Sequence, residues 1–517
     1  METNFFNLIN ANIITLNDKT PFAQSITISN GQISAINNPN NNAKSIDVHG
    51  ATIIPGFIDS HFHIRNMGKR MDMLQLKGLT SLKEIQKLIV NEIKKRDPEE
   101  LILGFGWDQN LWAENDFPSA DVLNDISPNN PIILTRIDGH ASWVNKKCLD
   151  SANYTINNGV PEGGKIINGC VLIDNAMSIV SHLNQKNSPE KIKRWIQNAT
   201  NIIIERGICS VHDAWQDQEI IDAIQILIKE EKFPIKCYGM IDASNEDLCE
   251  KYFSNGLYES EKYVIRSVKA FIDGALGSRG AALLEPYSDD THNCGLILID
   301  SKRFNKLATQ CHQFGFQLNT HAIGDKGNQM VIDTYSPYTR ESDIRWRLEH
   351  AQMVTSADVD RIVHNNIVPS MQPSHCTSDM KWLPERIGEH RLHRISRWKT
   401  FINQGVKVAG GSDCPIEEGN PLFEFYAAIT RQDHTGYPEH GFQNQEIVSP
   451  IEALKMLTTW GAYAEFQEHN KGKIEVGYKA DITILSDDIT TIEPTKILDT
   501  KILATIINGD IVFNQIS

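Results

Sequence analysis

Ile53-Ile54-Pro55-Gly56-Phe57-Ile58-Asp59-Ser60-His61-Phe62-His63 reads as an apolar strand that ends in two histidines at positions i and i+2. In an extended backbone, alternate side chains leave the same face about 6.5–7 Å apart, so both imidazoles can lean toward one ion at about 2.0–2.1 Å. A strand end equipped in this way reads as a metal site.

Working outward, strand-like apolar runs alternate with helical patterns at 209–212, 235–241, 264–271, 316–320, 345–348, 367–371 and 406–409. With 53–58 these make eight strand candidates, which predicts an α/β fold, a (β/α)8 TIM-like barrel with its chemistry at the C-terminal strand ends. The interval from about 66 to about 206 is too long for one crossover and reads as an insertion after the first barrel strand. It holds a strand pair, 101–105 and 131–135. Residues 1–52 contain short strands at 8–16, 25–29 and 32–36, the last two joined by Asn30-Gly31, a strong hairpin signal. Similar texture returns in 465–517, where Asn508-Gly509 marks another hairpin. The two termini are expected to build one small β-sandwich, leaving 53–464 as the barrel with its insertion.

Residues able to bind metal stand where the apolar runs stop. His61 and His63 follow the first. Lys269 lies inside the fourth, His321 ends the fifth, Glu349-His350 ends the sixth, and Gly411-Ser412-Asp413 follows the eighth. All would point into one mouth if the barrel closes. Most of the chain's 17 histidines need no such reading. A lone His in a barrel is usually a hydrogen-bonded core or surface residue, and His212, at the end of the second run, is expected to be a satisfied core residue or to support the ligands from behind.

Taken in order, the motifs PGFIDSHFH (55–63), GWDQNLW (106–112), LTRIDGHASWVN (134–145), VKAFIDGALGSRGAALLEPY (268–287), HAIGD (321–325), RLEHAQ (347–352) and GGSDCP (410–415) resemble the amidohydrolase superfamily, in particular amidohydrolase family 3, the YtcJ-like metal-dependent hydrolases, and are similar to N-substituted formamide deformylases. The resemblance spans almost the whole chain. It implies hydrolysis of a non-peptide C–N bond in a small N-acyl or N-formyl amine, with Zn2+ as cofactor and two ions expected. In that scheme His61 and His63 hold one ion and His321 and His350 the other. Lys269, carboxylated to a carbamate, bridges them. Asp413 is both ligand and catalytic acid–base. A buried lysine of depressed pKa can react with CO2 as the neutral amine, which suits Lys269. The plain alternative is a structural ion pair of Lys269 with Asp273 or Glu349. Trp107, Asp108, His140, Arg279, Gln372 and His375 are candidates for substrate contact. Packing of the insertion is an equal reading for the tryptophans.

The bulk properties narrow the alternatives. A net charge of −15 disfavours phosphate-backbone contact, so the partner should be a small molecule rather than nucleic acid. No apolar run is long enough to span a membrane. The N-terminus lacks the pattern of a secretory signal, and nine scattered cysteines without a CxxC pair suit reduced thiols, so a cytoplasmic location is expected. By analogy a homodimer would be unsurprising. No P-loop, dinucleotide fingerprint or GxSxG elbow is present. A deaminase on the same barrel is disfavoured because Ala322-Ile323-Gly324-Asp325 after His321 offers no Glu and Lys269 is retained. An ester or lactone hydrolase stays open. A non-catalytic scaffold or binding protein would be expected to have lost ligands, and none is lost here.

Overall fold

At Gly56 the apolar run 53–58 breaks into two strands that belong to different sheets, a correction to its reading as one barrel strand. Thr52–Pro55 pairs antiparallel with Ile482–Leu485 and parallel with Asn12–Ile14, whereas Phe57–Phe62 pairs parallel with Ile208–Gln216. Gly56 makes the transfer possible, since a Cβ there would stand 2.2 Å from the Cys209 sulfur. The run 8–16 divides in the same manner at Asn10, whose φ of +55° turns the chain from Phe5–Ile9 into Asn12–Ile14. These are features of a computed structural model describing residues 5–113, 116–136, 141–161, 164–184, 187–340 and 342–516.

The chain divides into two compact units, Met1–Asn66 with Ile196–Ser517, and Met67–Trp195. In the first unit, the terminal segments form two facing sheets. One contains four strands from residues 5–47. The other has six and runs Asp510–Asn514, Ile502–Ile507, Ile482–Leu485, Thr52–Pro55, Asn12–Ile14, Phe22–Ala23. Leu8, Ile26 and Ile28 meet Ile53, Ile482, Ile484 and Ile506 in the core between them. Asn30-Gly31 and Asn508-Gly509 take positive φ at both positions, the backbone a two-residue hairpin needs.

The rest of this unit is the barrel. Its strands are β1 (Phe57–Phe62), β2 (Ile208–Gln216), β3 (Lys236–Asp242), β4 (Tyr263–Phe271), β5 (Gln317–Ala322), β6 (Arg347–His350), β7 (Val368–Met371) and β8 (Ala409–Gly410). They pair in sequence order and in parallel from β1 to β8, and a parallel bridge from Phe62 to Cys414 joins the last to the first. Gly411 allows that closure: a Cβ there would meet the His61 nitrogen at 2.5 Å. The helices between strands are amphipathic. In Gln218–Lys229, Asp217 caps the Ile220 N–H while Ile220, Ile221, Ile224 and Leu227 turn inward.

The second unit contains a six-stranded sheet in which Ile102–Trp107 and Ile132–Arg136 pair in parallel. Trp107, Trp112 and Trp143 lie in its core with Ile85, Ile89 and Leu134. Among the described residues, no helix is long and apolar enough to cross a membrane.

Candidate metal centre

Period-two alternation carries His61 inward on β1, and the backbone then stitches the mouth together. The Asp413 N–H donates to the His61 carbonyl (2.7 Å), and the His63 N–H donates to that of Cys414 (3.0 Å). His321 and His350 occupy neighbouring strand ends, with Ala322 opposite His350 in the register. His350 and Asp413 both take positive φ, +72° and +56°. Residues with a Cβ rarely adopt that backbone, and it clusters where function requires a particular side-chain direction.

The side chains converge. Asp413 Oδ1 lies 3.0 Å from His63 Nε2 and 3.6 Å from His61 Nε2. Ring centroids of His61 and His350 are 4.8 Å apart, and those of His321 and His350 are 4.5 Å apart. His61, His350 and Asp413 offer ligand atoms that all fall within 4.8 Å of one another. Three of the imidazoles are oriented through Nδ1: His61 by Glu349 (2.5 Å), His63 by the Ala214 carbonyl (2.9 Å), and His350 by Gln372 Oε1 (2.8 Å). Such partners fix which nitrogen faces an ion.

Burial, then the Lys269 charge, lowers the imidazolium pKa of His61 to about 4 and that of His321 to about 3. His350 is pushed further in the same direction by burial and by His321 and His61. The three rings are therefore neutral near pH 7, as metal ligands must be. Burial alone would raise the Asp413 carboxyl, but the neighbouring His61 ring and the His63 hydrogen bond hold it well below the usual range, so it is ionised.

Lys269 lies fully buried on β4 with its Nζ lacking any hydrogen-bond partner among the described residues. Its amine is 4.9 Å from the Phe271 ring centroid, and burial lowers its pKa to about 8. Asp273, one partner the sequence offered, instead accepts the N–H groups of Ala282, Ile323 and Gly324. Asn319, opposite Lys269 in the β4/β5 register, also leaves both side-chain polar atoms unpaired. Orphaned polar atoms beside neutral imidazoles and an ionised carboxylate fit a divalent metal and an added anionic group on the amine.

The remaining expected site residues are distributed unevenly. His375 Nε2 is buried without a hydrogen bond among the described residues and lies 3.8 Å from Asp413 Oδ2. Gln372 reaches the centre through His350, as above. The Arg279 guanidinium pairs with Asp289 through two nitrogens, at 3.1 and 2.9 Å. In the second unit, Trp107 is fully buried with its indole N–H on the Leu134 carbonyl, and Asp108 pairs with Arg136. His140 lies outside the described residues.

Behind the centre runs a buried chain of charges that the sequence reading missed. Glu349 meets Arg347 (2.7 Å), Arg347 donates to His212 Nδ1 (2.8 Å), His212 Nε2 lies 3.4 Å from Glu465, and Glu465 pairs with Lys471 (2.6 Å). The signal was present in β6, where Arg347 and Glu349, two residues apart, had to share the barrel interior. Asp59 is a further buried anchor, accepting from the His61 and Ser412 N–H groups and the Ser412 hydroxyl.

Imidazoles kept neutral around an ionised carboxylate at the C-terminal mouth of a parallel barrel define a metal-dependent hydrolase. The sequence pattern of the amidohydrolase family matches residues 44–513, and the chain belongs to that family, whose chemistry is hydrolysis at carbon–nitrogen bonds. It is similar to the amidohydrolase YtcJ of Bacillus subtilis (strain 168), with 29% identity over 91% of each chain. It is also similar to the N-substituted formamide deformylase of Arthrobacter pascens, with 24% identity over 97% of each. An uncharacterised metal-dependent hydrolase from Pyrococcus furiosus superposes with a TM-score of 0.80 at 26% identity, covering 95% of this chain and all of that one.

Proposed function

We propose that this enzyme hydrolyses the amide bond of a small N-acyl or N-formyl amine, using two Zn2+ ions. His61 and His63 would hold one and His321 and His350 the other, with Asp413 as a further ligand and a carbamate on Lys269 shared between them. When bound, the metal supplies a Lewis acid for the carbonyl oxygen and acidifies water from a pKa of 15.7 to about 7. The Lys269 ammonium would first lose one proton; the neutral amine would then attack CO2, the N–C bond forming as a C=O π pair moves onto oxygen, and a second proton would leave nitrogen to give the carbamate anion.

Asp413, ionised and facing the histidines, accepts the proton of the attacking water and passes it to the departing nitrogen, which is a poor leaving group until protonated. Glu349 and Gln372 keep His61 and His350 in the orientation the ligands require. The free Nε2 of His375, beside Asp413, is suited to hydrogen-bond the substrate. The cysteines form no disulfide among the described residues, which supports a reducing, cytoplasmic setting.

The observation that carries this reading is the fully buried Lys269 amine, which has no hydrogen-bond partner among the described residues. The similarity to a formamide deformylase supports the substrate class. A screen of N-formyl, N-acetyl and aryl amides against lactones with zinc-loaded enzyme tests it. Turnover of N-formyl or N-acyl amines is expected, and preference for lactones would overturn the amide assignment.

A further inference from the structure

Strand β2 ends in an irregularity that costs backbone energy. Its register with β3 shifts between Asp213 and Gln216, and within that bulge Trp215 adopts φ +67° with 42% of its surface exposed. Its neighbours stay inside: Gln216 bonds Asp213 (2.6 Å) and Tyr263 (2.5 Å). A glycine would take this backbone at little cost, whereas for a bulky residue it is a true outlier. Strain of this kind persists where a side chain must be presented.

Trp215 is presented to the metal centre. The carbonyl of the preceding residue, Ala214, holds His63 Nδ1 at 2.9 Å. The Trp215 ring stands edge to face with Phe271 at 5.8 Å, and Phe271 lies 5.2 Å from the His321 ring. An aromatic path therefore leads from solvent to the ligands, with one large apolar face left uncovered at its outer end.

We propose that Trp215 and Phe271 form the wall that receives a planar apolar substituent of the substrate, so that the preferred amides carry an aryl or arylmethyl group. Offset or edge-on stacking against a ring that is already positioned adds to the area buried. The proposal rests on the amide reading of the site and narrows it to one substrate class.

The test compares wild type, Trp215→Ala and Trp215→Phe as zinc-loaded enzymes on N-benzylformamide and N-methylformamide, alongside calorimetric titration with benzylamine. The benzyl-to-methyl ratio of kcat/KM should fall about tenfold in Trp215→Ala, through KM rather than kcat, and return in large part in Trp215→Phe. Benzylamine affinity should weaken in parallel. An unchanged ratio with amide turnover intact would overturn the aromatic wall and leave the amide reading standing. If wild type cleaves neither amide, that reading fails, and the titration decides the wall alone: binding that depends on Trp215 supports it, and binding that is absent or indifferent to Trp215 overturns it.

Discussion

The Nδ1 of His61 lies 2.5 Å from Oε2 of Glu349, and both side chains are buried. The imidazole is neutral, so its Nδ1–H donates to the carboxylate and Nε2 is left facing Asp413. Arg347 and then His61 keep Glu349 ionised despite a burial that would raise its pKa. The nitrogen that His61 turns toward Asp413 is thus set by a carboxylate on the strand that also carries His350.

Glu349→Gln should therefore weaken metal affinity by about 10–100-fold, the usual effect of losing a partner that orients a ligand. Chelator competition measures it. Affinity equal to wild type would show that His61 is oriented by something else.

Asp413→Asn should lower kcat by at least about 10²–10⁴-fold, because the amide cannot shuttle the proton. Metal content by elemental analysis should fall far less, since four imidazoles and Lys269 remain. Near-normal turnover in this variant would remove Asp413 from the proton transfer.

Lys269→Met replaces the orphaned amine with a neutral side chain of similar length. The variant should bind one divalent ion where wild type binds two. A carbamate carbon signal seen by NMR in wild type after labelling with 13C-bicarbonate should be missing. Two ions in the variant, or no carbamate signal in wild type, would leave Lys269 as a packing residue.

The far end of the charge chain contributes to acid stability. Burial would raise the Glu465 carboxyl, but Lys471 and His212 more than offset it and hold its pKa at about 2. An unfolded Glu titrates near 4.3. The folded pKa is the lower one, so this contribution, on the order of 2–3 kcal/mol, is complete above about 4.3 and is lost as pH falls toward about 2. Urea midpoints of metal-free protein between pH 5 and pH 3 should drop more steeply in wild type than in Glu465→Gln. Equal slopes would refute the assignment.

The barrel and the candidate ligands gathered at its mouth were legible because both are written locally. Apolar runs of strand length ended in His61-Phe62-His63, His321, His350 and Asp413, and a strand end is a fixed place in a parallel barrel. What sequence could not show depends on partners far away in the chain. The division of 53–58 follows from the sheet that Ile482–Leu485 offers to Thr52–Pro55, more than four hundred residues later. The chain from Glu349 to Lys471 joins residues on strands and loops that share no local pattern. Trp215 reads as one more aromatic at a strand end until the bulge and its positive φ turn it outward. The Asn-Gly hairpins were readable for the opposite reason, since their backbone is set by two adjacent residues.

The account stands on His61, His63, Lys269, His321, His350 and Asp413 acting together as one metal-binding group. Anomalous diffraction at the zinc edge from crystals of zinc-loaded protein tests this most directly. Two peaks should lie among these side chains, within about 2.0–2.2 Å of their nitrogen and oxygen atoms. The absence of a peak there, or strong peaks only elsewhere on the protein, would contradict it.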